Sequence, residues 1–266
     1  MLKLKTLQDY LSSLNSVAVA FSGGVDSTLL LKVSHDLLAD NAIAITVSAS
    51  FTAHREMNEA EEFCRLNHIT HIKIHISESE IEGFTLNPPD RCYICKRAIF
   101  TRIISIAREH GIPNVIDGSN LDDLGDYRPG MKALRELGVI SPLLQCGFTK
   151  SDVRELSREL NLSTWDKPSF ACLASRFVYG EKITPQKLQM VERSEDFLMS
   201  MGFRQIRVRI HGDIARIEIL PEDFTRIIQQ ETRSRIYDAL KGYGFSYVAL
   251  DLKGYRSGSM NENLNA

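Results

Sequence analysis

Ser16-Val-Ala-Val-Ala-Phe21-Ser22-Gly23-Gly24-Val25-Asp26-Ser27 passes from an apolar run through two glycines into a helical pattern. Ser16–Phe21 reads as a buried strand. Asp26–Leu38 reads as a helix, because Leu29, Leu30, Val33 and Leu37 recur at helical spacing. Between them, Gly23 and Gly24 let the backbone approach a ligand closely. The helix start adds N–H groups and the positive end of its dipole. Ser22 and Ser27 add hydroxyls. The sum is an anion cradle. It lacks the lysine of a Walker A loop, so that NTPase class is excluded. Asp26 would repel a phosphate unless a cation sits between them, which implies Mg²⁺ at Asp26. The plain alternative is a Gly-Gly turn with a serine cap.

Outward from this loop, short apolar runs alternate with helical stretches. Strands are expected at 42–47, 72–76 and 114–117, and helices at 55–66 and 96–110, the last stopped by Gly111 and Pro113. Such alternation predicts an α/β fold, a parallel sheet with helices on both faces. Ligands then bind beyond the carboxyl ends of the strands. Asp117-Gly118-Ser119-Asn120 follows the fourth strand, so Gly118 and Asn120 are candidate nucleotide contacts. Asp122, Asp123 and Asp126 read more simply as solvated turn carboxylates. Arg128, set before Pro129-Gly130, is a candidate phosphate partner.

The texture changes after Trp165. We place a first domain at 1–167 and a small C-terminal α+β domain at 168–266. Residues 168–183 read as an aperiodic loop of the kind that carries function. A helix over 185–201 precedes strands at 205–210 and 214–220, joined by the turn His211-Gly-Asp213. Pro221 opens another helix, and 245–250 is a last strand. Arg207 and Arg209 share one face of the first of these strands, opposite Ile206, Val208 and Ile210. That face suits either an anionic ligand or solvent.

The 266 residues are 43% hydrophobic and 25% charged, with a net charge of -2. This balance excludes a strongly basic nucleic-acid binder and an acidic disordered chain. No apolar run approaches the ~18 residues of a membrane span. The N-terminus lacks the apolar core of a signal peptide, so a reducing cytoplasm is expected. There the five cysteines point to metal binding, catalysis or inert packing, not to disulfides.

The loop Ser22–Ser27 closely resembles the PP-loop of the ATP pyrophosphatase superfamily, whose fold is that of the adenine nucleotide alpha hydrolases. Its members cleave ATP to AMP and pyrophosphate, adenylating an acceptor. Across nearly the whole chain the resemblance narrows to the LarE family of sulfur transferases. It is carried by Asp126-Tyr-Arg-Pro-Gly130, Ser175-Arg-Phe177, Tyr179-Gly180, Arg207-Val-Arg209, Asp213-Ile-Ala-Arg-Ile-Glu218 and Arg256-Ser-Gly. The family adenylates a pyridinium-3,5-dicarboxylate mononucleotide and replaces carboxylate oxygen by sulfur, on the way to the nickel-pincer nucleotide of lactate racemase. The resemblance implies ATP and Mg²⁺ as cofactors. It implies that Ser22, Gly23, Gly24, Val25, Asp26 and Ser27 hold nucleotide. It further implies that Ser175, Arg176, Glu195, Arg207 and Arg256, with Glu218, line a sulfur-transfer site. A higher homo-oligomer is expected on the same ground. Within the fold, tRNA thiolation and ammonia-dependent amide formation remain as alternatives. The acidic net charge argues against the first, and the second would not require Cys172.

Some family members use one sacrificial cysteine. This chain departs from them by carrying Cys92-x-x-Cys95 just before the predicted 96–110 helix, and by placing Cys172 one position later in its loop. Two close cysteines and a distant third resemble related PP-loop thiolation enzymes that hold a [4Fe-4S] cluster. The resemblance therefore makes Cys92, Cys95 and Cys172 the expected cluster ligands. Sacrificial Cys172, a redox pair and half a zinc site stay open. Cys64 and Cys146 read as small packed thiols.

Overall fold

The computed structural model describes residues 2–124, 129–168, 171–256 and 258–260. The chain packs as two compact units, Met1–Ile81 with Asp90–Phe170, and Glu82–Pro89 with Ala171–Ala266.

The first unit holds a four-stranded, all-parallel sheet in the order β3-β2-β1-β4. Its strands are β1 (Val17–Ala20), β2 (Ala42–Ser48), β3 (His71–His75) and β4 (Val115–Ile116). Its helices are α1 (Leu2–Leu14), α2 (Val25–Leu38), α3 (His54–Leu66), α4 (Arg91–Glu109), α5 (Pro129–Glu136), α6 (Pro142–Gln145) and α7 (Lys150–Glu159). β1, β2 and β4 are mostly apolar and buried because helices cover both faces, whereas the edge strand β3 (His71-Ile-Lys-Ile-His75) buries only Ile74 fully. Helix α2 packs on β1 and β2, with α1 and α7 against it, while α3 meets β2 and α4 meets β4. The core runs through Leu7, Leu11, Val19, Leu29, Leu30, Phe148 and Val153. Leu31 is buried as well, so α2 is apolar around most of its girth, whereas Leu37 is 38% exposed. Chain order turns back at β1. The path moves one way to β2 and β3, then returns to lay β4 on the other side of β1. Loops after β1 and β4 therefore meet at a topological switch point, where open α/β sheets bind ligands.

Helix α4 begins at Arg91, not near Lys96. Asp90 after Pro88-Pro89 is its N-cap residue. Cys92 and Cys95 thus lie inside the helix, one turn apart on one face.

The second unit holds β5 (Ile206–His211), β6 (Ile214–Ile219) and β7 (Tyr247–Leu250), in that order across the sheet. The β5–β6 pair is the expected antiparallel hairpin, and β7 adds parallel to β6. Helix α8 (Pro185–Ser200) packs on β5, and α10 (Gln230–Gly242) on β7 and α8. Pro221 opens a 3-10 turn that leads into the short α9 (Phe224–Ile227). The 168–183 stretch contains one more 3-10 turn, Leu173–Arg176. Residues 82–89, read above with the first domain, pack in this unit. Asn87 Nδ2 donates to the Val178 carbonyl at 2.6 Å, and the Gly180 and Ile183 amides donate to the carbonyls of Asn87 and Thr85, each at 2.9 Å. Among the described residues no helix is long and apolar enough to cross a membrane.

Candidate active site

At the switch point the strand–loop–helix sequence Phe21–Ser27 closes on itself. Gly23 takes φ +70°, and a Cβ there would lie 3.2 Å from the Glu56 carbonyl oxygen. The N-cap of α2 is Gly24, and among the described residues no side-chain hydrogen bond caps the helix start. Ser27 Oγ donates to the Gly24 carbonyl at 3.1 Å and accepts from the Ser22 amide at 3.3 Å, and the two serine hydroxyls lie 3.1 Å apart. Loop shape is thus fixed by local bonds. Gly23→Ala is expected to strain it by about 1–2 kcal/mol, since an L side chain there opposes both φ and Glu56. The thermal midpoint should fall and ATP binding weaken; an unchanged midpoint and affinity would refute that strain.

The loop after β4 completes the cradle. A Cβ on Gly118 would sit 3.0 Å from the Ser27 amide nitrogen, so only glycine lets the two loops approach this closely. Asn120 Nδ2 donates to Asp26 Oδ1 at 2.9 Å. Behind it, buried Asp117 accepts the hydroxyls of Ser119 and Ser141, each at 2.5 Å. Gly118 and Asn120 therefore stand against the Ser22–Ser27 loop. Arg128 lies outside the described residues.

Two lysines unmarked in the sequence reading also come here. Lys150, first residue of α7, pairs with Asp26 Oδ2. Lys167 Nζ donates to the Gly23 carbonyl at 2.9 Å and to Glu59 at 2.5 Å. Ser22, Gly24, Val25, Asp26, Glu56, Lys150, Lys167 and Pro168 line a cavity of about 140 Å³. That is smaller than the ~300–1,000 Å³ of whole-ligand pockets, and suits the phosphate end of a nucleotide. Asp26 fits an Mg²⁺ site of the usual kind, one carboxylate completed by substrate phosphates and water.

In the second unit the arginine face of β5 is buried rather than solvated. Arg207 is 3% and Arg209 5% exposed. Across the hairpin, Arg207 pairs with Glu218 and Arg209 with Arg216 in register. Arg209 Nε and Nη2 donate to Glu218 Oε2 at 3.1 and 2.9 Å, and Arg209 Nη1 to the Ser175 carbonyl at 3.0 Å. Glu218 Oε1 takes Arg216 at 3.0 Å and the Ser259 hydroxyl at 2.8 Å. Arg216 continues to Asp251, which Arg256 meets at 3.2 Å. Arg207 lies with its guanidinium carbon 5.1 Å from the Tyr255 ring centre. Burial, helped by the nearby charge of Arg176, pulls Arg207 down to about 10.

Arg176 and Glu195 are both fully buried. Arg176 Nε and Nη2 donate to the two Glu195 oxygens at 2.9 and 2.8 Å, a bidentate fork. Glu195 Oε1 also accepts the Val208 amide at 2.9 Å. Arg176 Nη1 reaches the carbonyls of Ala171 and Cys172 and the hydroxyl of Ser175, the last two at 3.2 and 2.9 Å. Buried Arg176, Glu195, Arg209 and Glu218 thus form one network with half-buried Ser175 around the 171–176 turn. Sequence reading paired none of them.

Of the thiols, Cys64 is buried and pushed up to about 12 by that burial; Cys146 is raised for the same reason. Cys92 and Cys172 are exposed and Cys95 half-buried. Accessible thiols are the chemistry a thiolate cluster needs, and here two lie in the first unit and one in the second. Among the described residues no three His, Cys, Asp or Glu side chains gather as metal ligands.

A family model described as a PP-loop domain matches residues 2–123. The chain is 41% identical over 262 residues to an uncharacterised protein of Synechocystis sp., covering 98% of both chains. It is 40% identical over 271 residues to the pyridinium-3,5-bisthiocarboxylic acid mononucleotide synthase of Lactiplantibacillus plantarum, covering 98% of this chain and 95% of that one. An uncharacterised protein of Methanocaldococcus jannaschii is 30% identical over 241 residues, 91% of both chains.

Proposed function

Because the chain belongs to the LarE family of PP-loop proteins, we propose that it is an ATP-dependent sulfur transferase acting on a pyridinium-3,5-dicarboxylate mononucleotide. The observation that carries the reading is the uncapped, glycine-lined cradle at the β1/β4 switch point, in a chain that matches such a synthase from end to end. The first unit is the ATP pyrophosphatase domain and the second the sulfur-transfer domain. The protein works in the cytoplasm as a homo-oligomer on a small-molecule nucleotide.

ATP lies with its phosphates on Ser22–Ser27, beside Gly118 and Asn120, and Arg128 contributes charge. Asp26 is the residue that would hold Mg²⁺, which when bound would supply positive charge opposite the pyrophosphate. A substrate carboxylate oxygen attacks the α-phosphorus, and the bond to pyrophosphate breaks. A sulfur nucleophile then attacks the acyl carbon, and AMP leaves with the former carboxylate oxygen. Arg207 and Arg256 hold substrate anion, orienting the acyl group. Arg176, Glu195 and Glu218 act by fixing Ser175 and the Cys172 turn. In donor chemistry Cys92, Cys95 and Cys172 suit a [4Fe-4S] cluster, which would supply sulfide at an open iron. A second reading has Cys172 surrender its own sulfur. It is favoured by Cys172 being the only cysteine of the second unit.

The full-length protein with ATP, Mg²⁺ and the dicarboxylate nucleotide should release AMP and pyrophosphate together. The product should gain the mass of an oxygen-for-sulfur exchange. ATP cleavage with no mass change would overturn the reading.

A further inference from the structure

Tyr255 is tied to both arginines assigned above to the substrate anion. Arg256 follows it in the chain, and the guanidinium carbon of buried Arg207 lies 5.1 Å from its ring centre, inside cation–π range. Tyr255 itself is half-buried. The neighbouring cations are engaged by acids: Arg209 and Arg216 by Glu218, and Arg216 and Arg256 by Asp251.

The root of this ring is fixed. The Tyr255 amide donates to the Ile219 carbonyl at 2.8 Å. Gly254 brings the backbone so close to β6 that a Cβ there would lie 2.6 Å from the same oxygen. Arg256 closes the turn, donating to the Gly254 carbonyl at 3.0 Å and to Asp251 Oδ1 at 3.2 Å. A tyrosine has only two side-chain torsions to order, so it offers a ligand a large flat face at low entropic cost.

The proposed substrate carries opposite charges in one plane, a cationic ring with carboxylates on its rim. Arginines recognise the rim and oppose the ring. A carboxylate would favour the ring and repel the rim. A π face favours the ring without a net charge of its own. The guanidinium over Tyr255 is itself a flat cation, so this side chain already serves that chemistry within the chain. We infer that Tyr255 selects the charged ring of the substrate, its π face stacking on the pyridinium while Arg207 beside it meets a ring carboxylate. The inference rests on the substrate reading above and adds a specificity residue to that site.

The test is titration calorimetry on the full-length protein with two nucleotides. One is the pyridinium-3,5-dicarboxylate mononucleotide. The other is the matching C-nucleotide, in which a neutral benzene ring carries the same two carboxylates and the same ribose phosphate. Arginines alone favour the second, because it is the more negative. Wild type should nevertheless bind the first about fivefold or more tighter, the worth of one cation–π contact. Tyr255→Phe should keep that ratio, and Tyr255→Leu should bring it to one or below. A Tyr255→Leu protein that loses affinity for both nucleotides equally, or for neither, would reduce the ring to a prop for Arg207 and overturn the inference. So would a wild type with no preference for the charged ring. A protein with this preference that thiolates nothing would sink the proposed function and leave the inference standing; thiolation without the preference would do the reverse.

Discussion

Arg176→Met should destabilise the protein by about 3–5 kcal/mol, because it strands a carboxylate with no water to solvate it. Glu195 is fully buried, and the variant removes both arms of its fork, leaving the Val208 amide. Against a typical margin of about 5–15 kcal/mol, that loss is large. Denaturant unfolding followed in the second unit reads it directly. Burial pushes the Glu195 carboxyl up, but the Arg176 charge and hydrogen bonds, then Arg207 and the Val208 amide, hold it below its ordinary range. A depressed carboxyl stabilises the fold above its unfolded pKa of ~4.3, and that stability is lost as pH falls through the folded value. In the variant a protonated Glu195 is easier to bury than a charged one. The gap between wild type and Arg176→Met should therefore be widest near neutrality and narrow in acid. Arg176→Met combined with Glu195→Leu should recover much of the loss, since no charge is left behind. A gap below ~1 kcal/mol at neutral pH would place the pair among weak surface bridges and refute its role as the clamp of the Cys172 turn.

What the sequence disclosed follows from how local each feature is. The cradle was legible because strand, glycines and helix start are contiguous, and their physics needs no partner. Gly118 and Asn120 were legible one step further out, through the rule that parallel sheets bind ligands at their carboxyl edge. Lys150 was not. Lysines beginning helices are common, and only the packing of α7 on α2 sets this one on Asp26. The Arg207/Arg209 face shows a different limit. Alternation marked a two-sided strand, but burial of the arginines depends on Glu218 across the hairpin, on Arg176 and on the 171–176 turn. The same holds for Glu195, whose partner is 19 residues away across a turn. Pro88-Pro89-Asp90 is a helix-start signal in its own right, and α4 begins directly after it. Residues 82–89 bond to 178–183, and no periodicity carries such a pairing.

Cys172→Ser should abolish sulfur transfer while leaving ATP cleavage in place. A serine keeps the size of the side chain and the carbonyl that Arg176 grips, so the turn should persist. What disappears is the soft, ionisable sulfur that both sulfur sources require. No other thiol in the second unit can replace it. Cys64 is closed by burial, and Cys146 is also shifted away from the reactive thiolate. Formation of AMP and pyrophosphate draws on the Ser22–Ser27 cradle in the other unit, so its rate should stay within about threefold of wild type, an effect below 1 kcal/mol. Thiolated product made by Cys172→Ser would overturn both sulfur sources together. Cys92→Ser and Cys95→Ser then part them. On a cluster held by three thiolates, either change should remove iron, acid-labile sulfide and repeated turnover. With a sacrificial Cys172, both variants should still complete one transfer, and the spent protein should be lighter by the elements of hydrogen sulfide at residue 172. Iron content and protein mass, read on the same anaerobic preparation, decide between these without reference to rate.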